Sequence, residues 1–457
     1  MFNSLCYYKR SISPNGDRMN AERRALWTLA WPVILTNGAM MSLGVVDMIM
    51  VGRLGPTAIA SLSVSVTWMY ATAVFGRNIP AGVEPLVSQV AGEKQTETRA
   101  RLFQHLLRVM VLALIPQVCL YLSAERGLLL FGQQPEVASL AGAYCSVLAL
   151  AVPAELAFVY AMRFFQAMEK VQSATISVVA ANLLNVLANY IFIYQFDLGV
   201  LGSAWASCLS TYGMCFILLW RLRADIGMFC KKYYRYSSAI IHRIWKLGWP
   251  TGLQFSLEVW GFVLSVLFAG WIGTESQAAH AIVLNIASVC FMVPLGLSVA
   301  AATRVGKMIG IGGDWKNAIW QAILTMLLVE GVLILLLVVG AGWWPRIYTD
   351  DPALMEVVVP LVYLCACFQV FDGSQVVGLG ILRGMGDVRL PLFFHLVAYW
   401  MIGMPLALLL AFQMGFGVRG IWLGLATALA IVSILCGLRI AYWMRTGVQS
   451  LYASETE

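Results

Sequence analysis

Residues 318–342 read AIWQAILTMLLVEGVLILLLVVGAG, an unbroken apolar stretch with one charged side chain, Glu330. A helix crossing the hydrocarbon core of a bilayer needs about 20 apolar residues, because each adds about 1.5 Å along the axis. The stretch meets that length and lacks period-2 alternation, so it reads as a spanning helix and not as a barrel strand. Comparable runs, bounded by Gly, Pro or charge clusters, fall near 26–51, 60–91, 104–124, 137–162, 173–195 and 199–220. After a polar, basic stretch they resume near 249–272 and 277–305, then near 354–382, 390–412 and 417–443. The fold class read from this pattern is an all-α polytopic membrane protein with twelve transmembrane helices.

Composition agrees. The chain has 457 residues, of which 60% are hydrophobic and 12% charged, and its mean hydropathy is +0.78. Soluble domains carry about 25% charged residues, so too few are available to coat soluble surfaces. An ordinary soluble enzyme, a disordered chain and a disulfide-rich secreted module are excluded. The net charge of +7 forms no basic stripe, and no nucleic-acid partner is expected. The ten cysteines lack metal-ligand spacing, Cys365 and Cys367 being a lone C-x-C in an apolar run. They read as small buried hydrophobes.

The basic residues report orientation. Of 30 Lys and Arg, about 24 lie on alternate loops counted from the N-terminus, including Lys231, Lys232, Arg235, Arg243 and Lys246. The opposite loops hold Arg53, Arg126, Arg346 and Arg419. The positive-inside bias therefore predicts a bacterial inner-membrane protein with both termini cytoplasmic. The first apolar run is too long for a signal-peptide core and is expected to remain as the first span, with Met19 an alternative start. Expected divisions are a cytoplasmic N-terminal segment at 1–25, an N-lobe at 26–222, a cytoplasmic linker at 223–247, a C-lobe at 248–445 and a tail at 446–457. Trp245, Trp249, Trp271, Trp343 and Trp344 read as interfacial anchors at span ends.

An internal repeat appears at an offset of about 218 residues. Trp31-Pro32 matches Trp249-Pro250, and Gly52 to Gly55 matches Gly270 to Gly273. Pro80-Ala-Gly82 matches Pro294-Leu-Gly296, Pro135 matches Pro352, and Gly199 to Gly202 matches Gly417 to Gly420. Each repeat holds an even number of spans, so both insert the same way. Two six-helix bundles related by a pseudo-two-fold axis along the membrane normal are predicted, facing each other across a cleft.

Charged groups inside spans are costly, about 2.5–3.5 kcal/mol at the helix centre on insertion scales, and mark function by default. Glu258 and Asp372 fall near the midplane at matching depth, with Gln375 one turn from Asp372 on the same face. Such a pair can trade a proton, hold a monovalent cation or face a cationic substrate. In the first half Asp47, Asn185, Asn189 and Ser207 share a second level. One carboxylate, two amide oxygens and a hydroxyl suit Na⁺ or a proton with hydrogen-bonding neighbours. Possible Na⁺ ligands are thus Asp47, Asn185, Asn189, Glu258 and Asp372. Intramembrane Asn and Ser also serve as interhelical glue. Arg77 and Glu84 read as an ion pair with each other or as cleft-facing, and Glu155 and Glu330 are further intramembrane acids. His280 and His395 read as structural. No nucleotide-binding motif is present, which leaves an ion gradient as the energy source and no cofactor expected.

These residues together resemble the multidrug and toxic compound extrusion (MATE) family, and its NorM-like bacterial branch. The resemblance runs over residues 24–445. It rests on Trp31-Pro32, Val46-Asp47 through Gly52, Pro85 through Gly92, Ala278-Ala-His280, Leu284-Asn285, Arg304-Val-Gly306 and Phe371-Asp372 through Gly384. It implies a monomeric secondary antiporter that exports cationic, aromatic amphiphiles in exchange for Na⁺ or H⁺. The family's helix 1 aspartate, helix 7 glutamate and helix 10 aspartate fall on Asp47, Glu258 and Asp372. Its helix 5 asparagines and helix 6 hydroxyl fall on Asn185, Asn189 and Ser207. Glu84 stands where the family pattern has an uncharged residue. Substrate contacts are expected at Asp47, Glu258, Asp372 and Gln375. The nearest alternative is a lipid-linked oligosaccharide or lipid flippase of the same superfamily, which would line its cleft with Arg or Lys. An intramembrane enzyme would need a metal cluster or a nucleophile pairing, and neither is evident.

Overall fold

The computed structural model describes residues 15–90 and 95–452, with side chains from residue 21 onward except Pro56. Most of the 1–25 segment's reading, the Ala91-Gly92 end of one family stretch and the last residues of the tail lie outside the described residues. Every regular element described is helical. Eleven helices are long and apolar enough to cross a membrane, or twelve if one bent pair counts as a single span. They are α1 (Ala21–Leu54), α2 (Thr57–Ser88), α3 (Gln95–Leu122), α4 (the bent pair Pro135–Ala149 and Val152–Ala167), α5 (Gln172–Gln195) and α6 (Gly199–Arg221). The second half holds α7 (Ser238–Ile272), α8 (Thr274–Gly310), α9 (Trp315–Val339), α10 (Pro352–Gly384), α11 (Arg389–Gln413) and α12 (Val418–Thr446). An all-helical chain satisfies each span's backbone polar groups internally, which the bilayer core demands.

Span starts follow local chemistry. Asp314 Oδ1 accepts from Asn317 N at 3.0 Å at the start of α9. At the start of α10, Asp351 Oδ1 accepts from Ala353 N at 3.0 Å while Pro352 fills the first helical position. The opening stretch forms α9, and its Leu327, Leu328, Val332, Leu335, Leu336 and Val339 are exposed on the outer surface. An apolar outer face of this kind is covered by lipid in a membrane protein.

Two departures from the predicted spans have backbone causes, and the linker also differs. The fourth run, expected as one helix, bends by 57° between Ala149 and Val152. Pro153 has no N–H, and its ring clashes with the carbonyl of residue 149. The span expected at 390–412 carries π-helical turns at Leu396–Gly403 and Leu409–Gln413, around Pro405. The linker at 223–247 is largely helical, with a short helix at Arg223–Cys230 and α7 beginning at Ser238. It is held to α3, where Gln104 donates to the Phe229 and Lys232 carbonyls and Arg108 to that of Tyr234.

The repeat is visible in the backbone. Gly199 and Gly417, matched by sequence, have φ of 56° and 55° before the last span of each half. That left-handed conformation favours glycine at both places.

Two apolar cores result. One packs Tyr121, Tyr144, Phe158, Phe164 and Phe165 among α2 to α6. The other packs Phe368, Tyr399 and Trp422 among α7 to α12 and takes in Leu26, Leu29, Ala30 and Val33 of α1. At the end bearing both termini the halves are tied together. Gln89 donates to the Gly384 carbonyl at 2.8 Å and accepts from Leu451 N at 2.9 Å. Tyr452 donates to the Leu86 carbonyl, and Arg243 donates to that of Leu451. Glu169, after α4, receives Arg304 at 2.8 Å and Lys307 at 2.5 Å from α8.

Candidate functional site

In the first half the predicted group assembles. Asp47 is buried, and its Oδ1 accepts from Asn185 Nδ2 at 3.1 Å and Asn189 Nδ2 at 2.6 Å. Its Oδ2 accepts from Ser207 Oγ at 2.5 Å. Asn189 also donates to Asn185 Oδ1 at 3.1 Å, which fixes the two amides relative to each other. Asn185 and Asn189 lie one turn apart on α5, so both reach α1 from one face. The amide N–H groups, not the amide oxygens, face the carboxylate. The carboxylate thus has three donors around it, while Asn189 Oδ1 is left without a partner. Ser203 and Tyr144, absent from the sequence reading, stand beside it. Ser203 is one turn before Ser207 on α6, a signal the spacing contained.

The second half differs. Glu258 Oε1 accepts from Gln375 Nε2 at 2.6 Å, so the predicted glutamine bridges α10 to α7. Asp372 is buried within electrostatic reach of both Glu258 and Glu330, and its Oδ1 has no hydrogen-bond partner. Glu330 is equally buried, with both carboxylate oxygens unpartnered. Gln369, one turn before Asp372, is fully buried with neither amide atom paired. His395, read from sequence as structural, places Nε2 at 3.7 Å from Glu258 Oε2. Its Nδ1 donates to the Pro391 carbonyl at 2.9 Å, and its ring stacks on Tyr399.

The remaining intramembrane charges pair differently from the sequence expectation. Arg77 does not meet Glu84; it pairs with Glu155, which also accepts from Gln117 at 3.3 Å. Glu84 faces Arg163 at 3.4 Å and Arg383 at 3.5 Å, joining α2, α4 and α10. The partners lie on α4 and α10, which sequence spacing along α2 does not reveal. Between the halves an apolar groove of about 1020 Å³ is lined by Trp68, Phe75, Trp245, Trp260 and Gln117, among others. Among the described residues no group of three or more His, Cys, Asp or Glu is arranged to hold a metal ion.

The MatE family model matches the chain twice, over residues 32–191 and 250–409, in register with the internal repeat. The chain belongs to the MatE family. It is a multi-pass membrane protein of the multidrug and toxin extrusion transporters. Among MatE relatives, a "Probable multidrug resistance protein NorM" of Mesorhizobium japonicum is 33% identical, over 93% of this chain and 94% of that protein. The solved eukaryotic MATE transporter AtDTX14 superposes with a TM-score of 0.84 at 23% identity, over 93% of this chain and 96% of that one. A multidrug resistance MATE transporter of the MOP superfamily, solved in an outward-facing conformation, gives 0.83 at 17%, over 95% of this chain and all of that one. Both superpositions establish the two-lobe fold.

Proposed function

We propose that this protein is a secondary antiporter that exports cationic, aromatic amphiphiles in exchange for Na⁺ or H⁺ by alternating access. The observation that carries the reading is the group of buried acids in the second half. Glu258 is held by one glutamine, Asp372 has an unpaired oxygen, and Glu330 has two. Under-satisfied carboxylates in a desolvated site attract positive charge, whether an inward-moving ion or an outward-moving drug. Ion and drug then compete, and coupling requires only that they prefer opposite-facing states.

The lobes correspond to residues 26–222 and 248–445. With the positive-inside bias, the tied end, where α1 begins and α12 ends, is cytoplasmic in a bacterial inner membrane. The apolar groove with Trp68, Phe75 and Trp260 offers aromatic surface to an amphiphile. A polyanionic lipid-linked substrate is disfavoured because Arg77, Arg163 and Arg383 each face an acid.

The test is ethidium transport in inverted membrane vesicles, energised by a pH gradient or by a Na⁺ gradient. Accumulation driven by either gradient, lost in Asp372→Asn and Glu258→Gln, is the expected result. Full transport in both variants would remove the mechanism.

A further inference from the structure

Glu330 lies on α9, and both of its buried carboxylate oxygens lack a hydrogen-bond partner. Its carboxyl rests against α10 at Gly373, the residue next to Asp372. A Cβ at position 373 would fall on the Glu330 carboxylate, with Oε1 and Cδ both inside contact distance. Glycine in a helix interior is destabilising relative to alanine, so its presence mid-span calls for a reason. Here it opens the notch that lets a carboxylate from the neighbouring helix reach the level of Asp372.

A second observation points to a ligand. Gln369 is fully buried and turned towards Glu330, yet both of its amide atoms are unpartnered. Asp372 Oδ1, both Glu330 oxygens and Gln369 Oε1 are therefore unpaired acceptors gathered where α9 and α10 meet. Native interiors rarely leave such groups unpaired. The two carboxyls have only glutamine amides as neighbouring donors, so one added positive charge would satisfy the open oxygens, and oxygen ligands suit a hard monovalent cation.

We propose that Glu330 is a third coupling carboxylate, which with Asp372 and Gln369 binds the monovalent cation exchanged by the second half, leaving Glu258 with Gln375 to face the drug. This rests on the antiport reading above. The groups that face the site are Glu258 from α7, Cys290 from α8, Cys365 from α10, and His395 and Tyr399 from α11.

The experiment uses the purified full-length protein and ethidium, whose binding is followed by fluorescence anisotropy. One arm titrates pH in a sodium-free choline buffer, and the other titrates Na⁺ at fixed alkaline pH. In the wild type, ethidium affinity falls as the competing cation rises, and the arm that responds identifies that cation. Glu330→Gln removes the charge. Gly373→Ala keeps every ionisable group but pushes the Glu330 carboxyl out of its notch, a displacement a flexible side-chain end can accommodate. Both should weaken the cation's competition about tenfold or more. Wild-type competition in either folded variant overturns the proposal, and Gly373→Ala decides it alone should Glu330→Gln not fold. Absence of ethidium binding or competition in the wild type overturns the antiport reading itself, a failure visible before any variant is compared.

Discussion

The buried acids of the two halves differ in how their oxygens are hydrogen-bonded. Around Asp47 three donors converge through hydrogen bonds from α5 and α6. Around Asp372 and Glu330 the only neighbouring donors are the amides of Gln375 and Gln369, and buried acceptors remain open. The sequence repeat aligns the backbones of the halves without equating their polar chemistry. The first half has a carboxyl met by three side-chain donors, and the second has buried carboxyl oxygens left without partners. An antiporter needs at least one site that changes occupancy during the cycle, and the unsatisfied one is better suited to that role.

The strongest way to break this comparison is to neutralise each side in turn. Asp372→Asn and Glu258→Gln should each reduce gradient-driven ethidium transport on the order of 100-fold, read as initial rates in inverted vesicles. Thermal unfolding in detergent then asks about stability. Asp372→Asn replaces a buried carboxyl with an unpaired oxygen and should leave the melting temperature unchanged or raise it. Asp47→Asn should lower it, because each donor left unpaired costs about 1–3 kcal/mol. Equal signs for the two variants would mean that the halves do not differ as described. Ser207→Ala sharpens the point by deleting one hydrogen bond to Asp47, with an expected loss of about 0.5–1.5 kcal/mol and Asp47 still in place.

What the sequence made legible follows from how each feature is encoded. The spans were readable because continuous apolar length is a local property, and α9 is the plainest case. The Asp47, Asn185, Asn189 and Ser207 group was readable because depth can be counted along helices of known topology. Gln375 was readable from its one-turn spacing to Asp372, and its bond to Glu258 follows from that face. By the same spacing Gln369 was within reach, lying one turn on the other side. The bend in α4 was hidden because Pro153 sits inside one continuous, largely apolar run whose length reads as a single span. The pairing of Arg77 with Glu155, and of Glu84 with Arg163 and Arg383, depends on which helices touch. No regularity along α2 carries that information. Glu330 became informative only when Gly373 was placed against it.

The smallest predicted effect concerns the closed end, where the halves are tied by ion pairs instead of cation sites. Glu169 is partly buried, and burial alone would push its carboxyl up. Hydrogen bonds from Lys307 and Arg304, with their charges, outweigh that and hold it below the usual carboxylate range. A carboxyl lowered in the folded state stabilises above its unfolded pKa, and the contribution is lost as pH falls through the lower, folded value. At neutral pH Glu169→Gln should therefore lower the melting temperature by a margin equivalent to about 1 kcal/mol or less, since the group remains partly solvated. Below the folded carboxylate's range, wild type and variant should melt together. The check is a pair of melting curves at neutral and strongly acidic pH. A difference that persists at acid pH would mean that Glu169 acts through packing at the turn after α4, and not through charge between the halves.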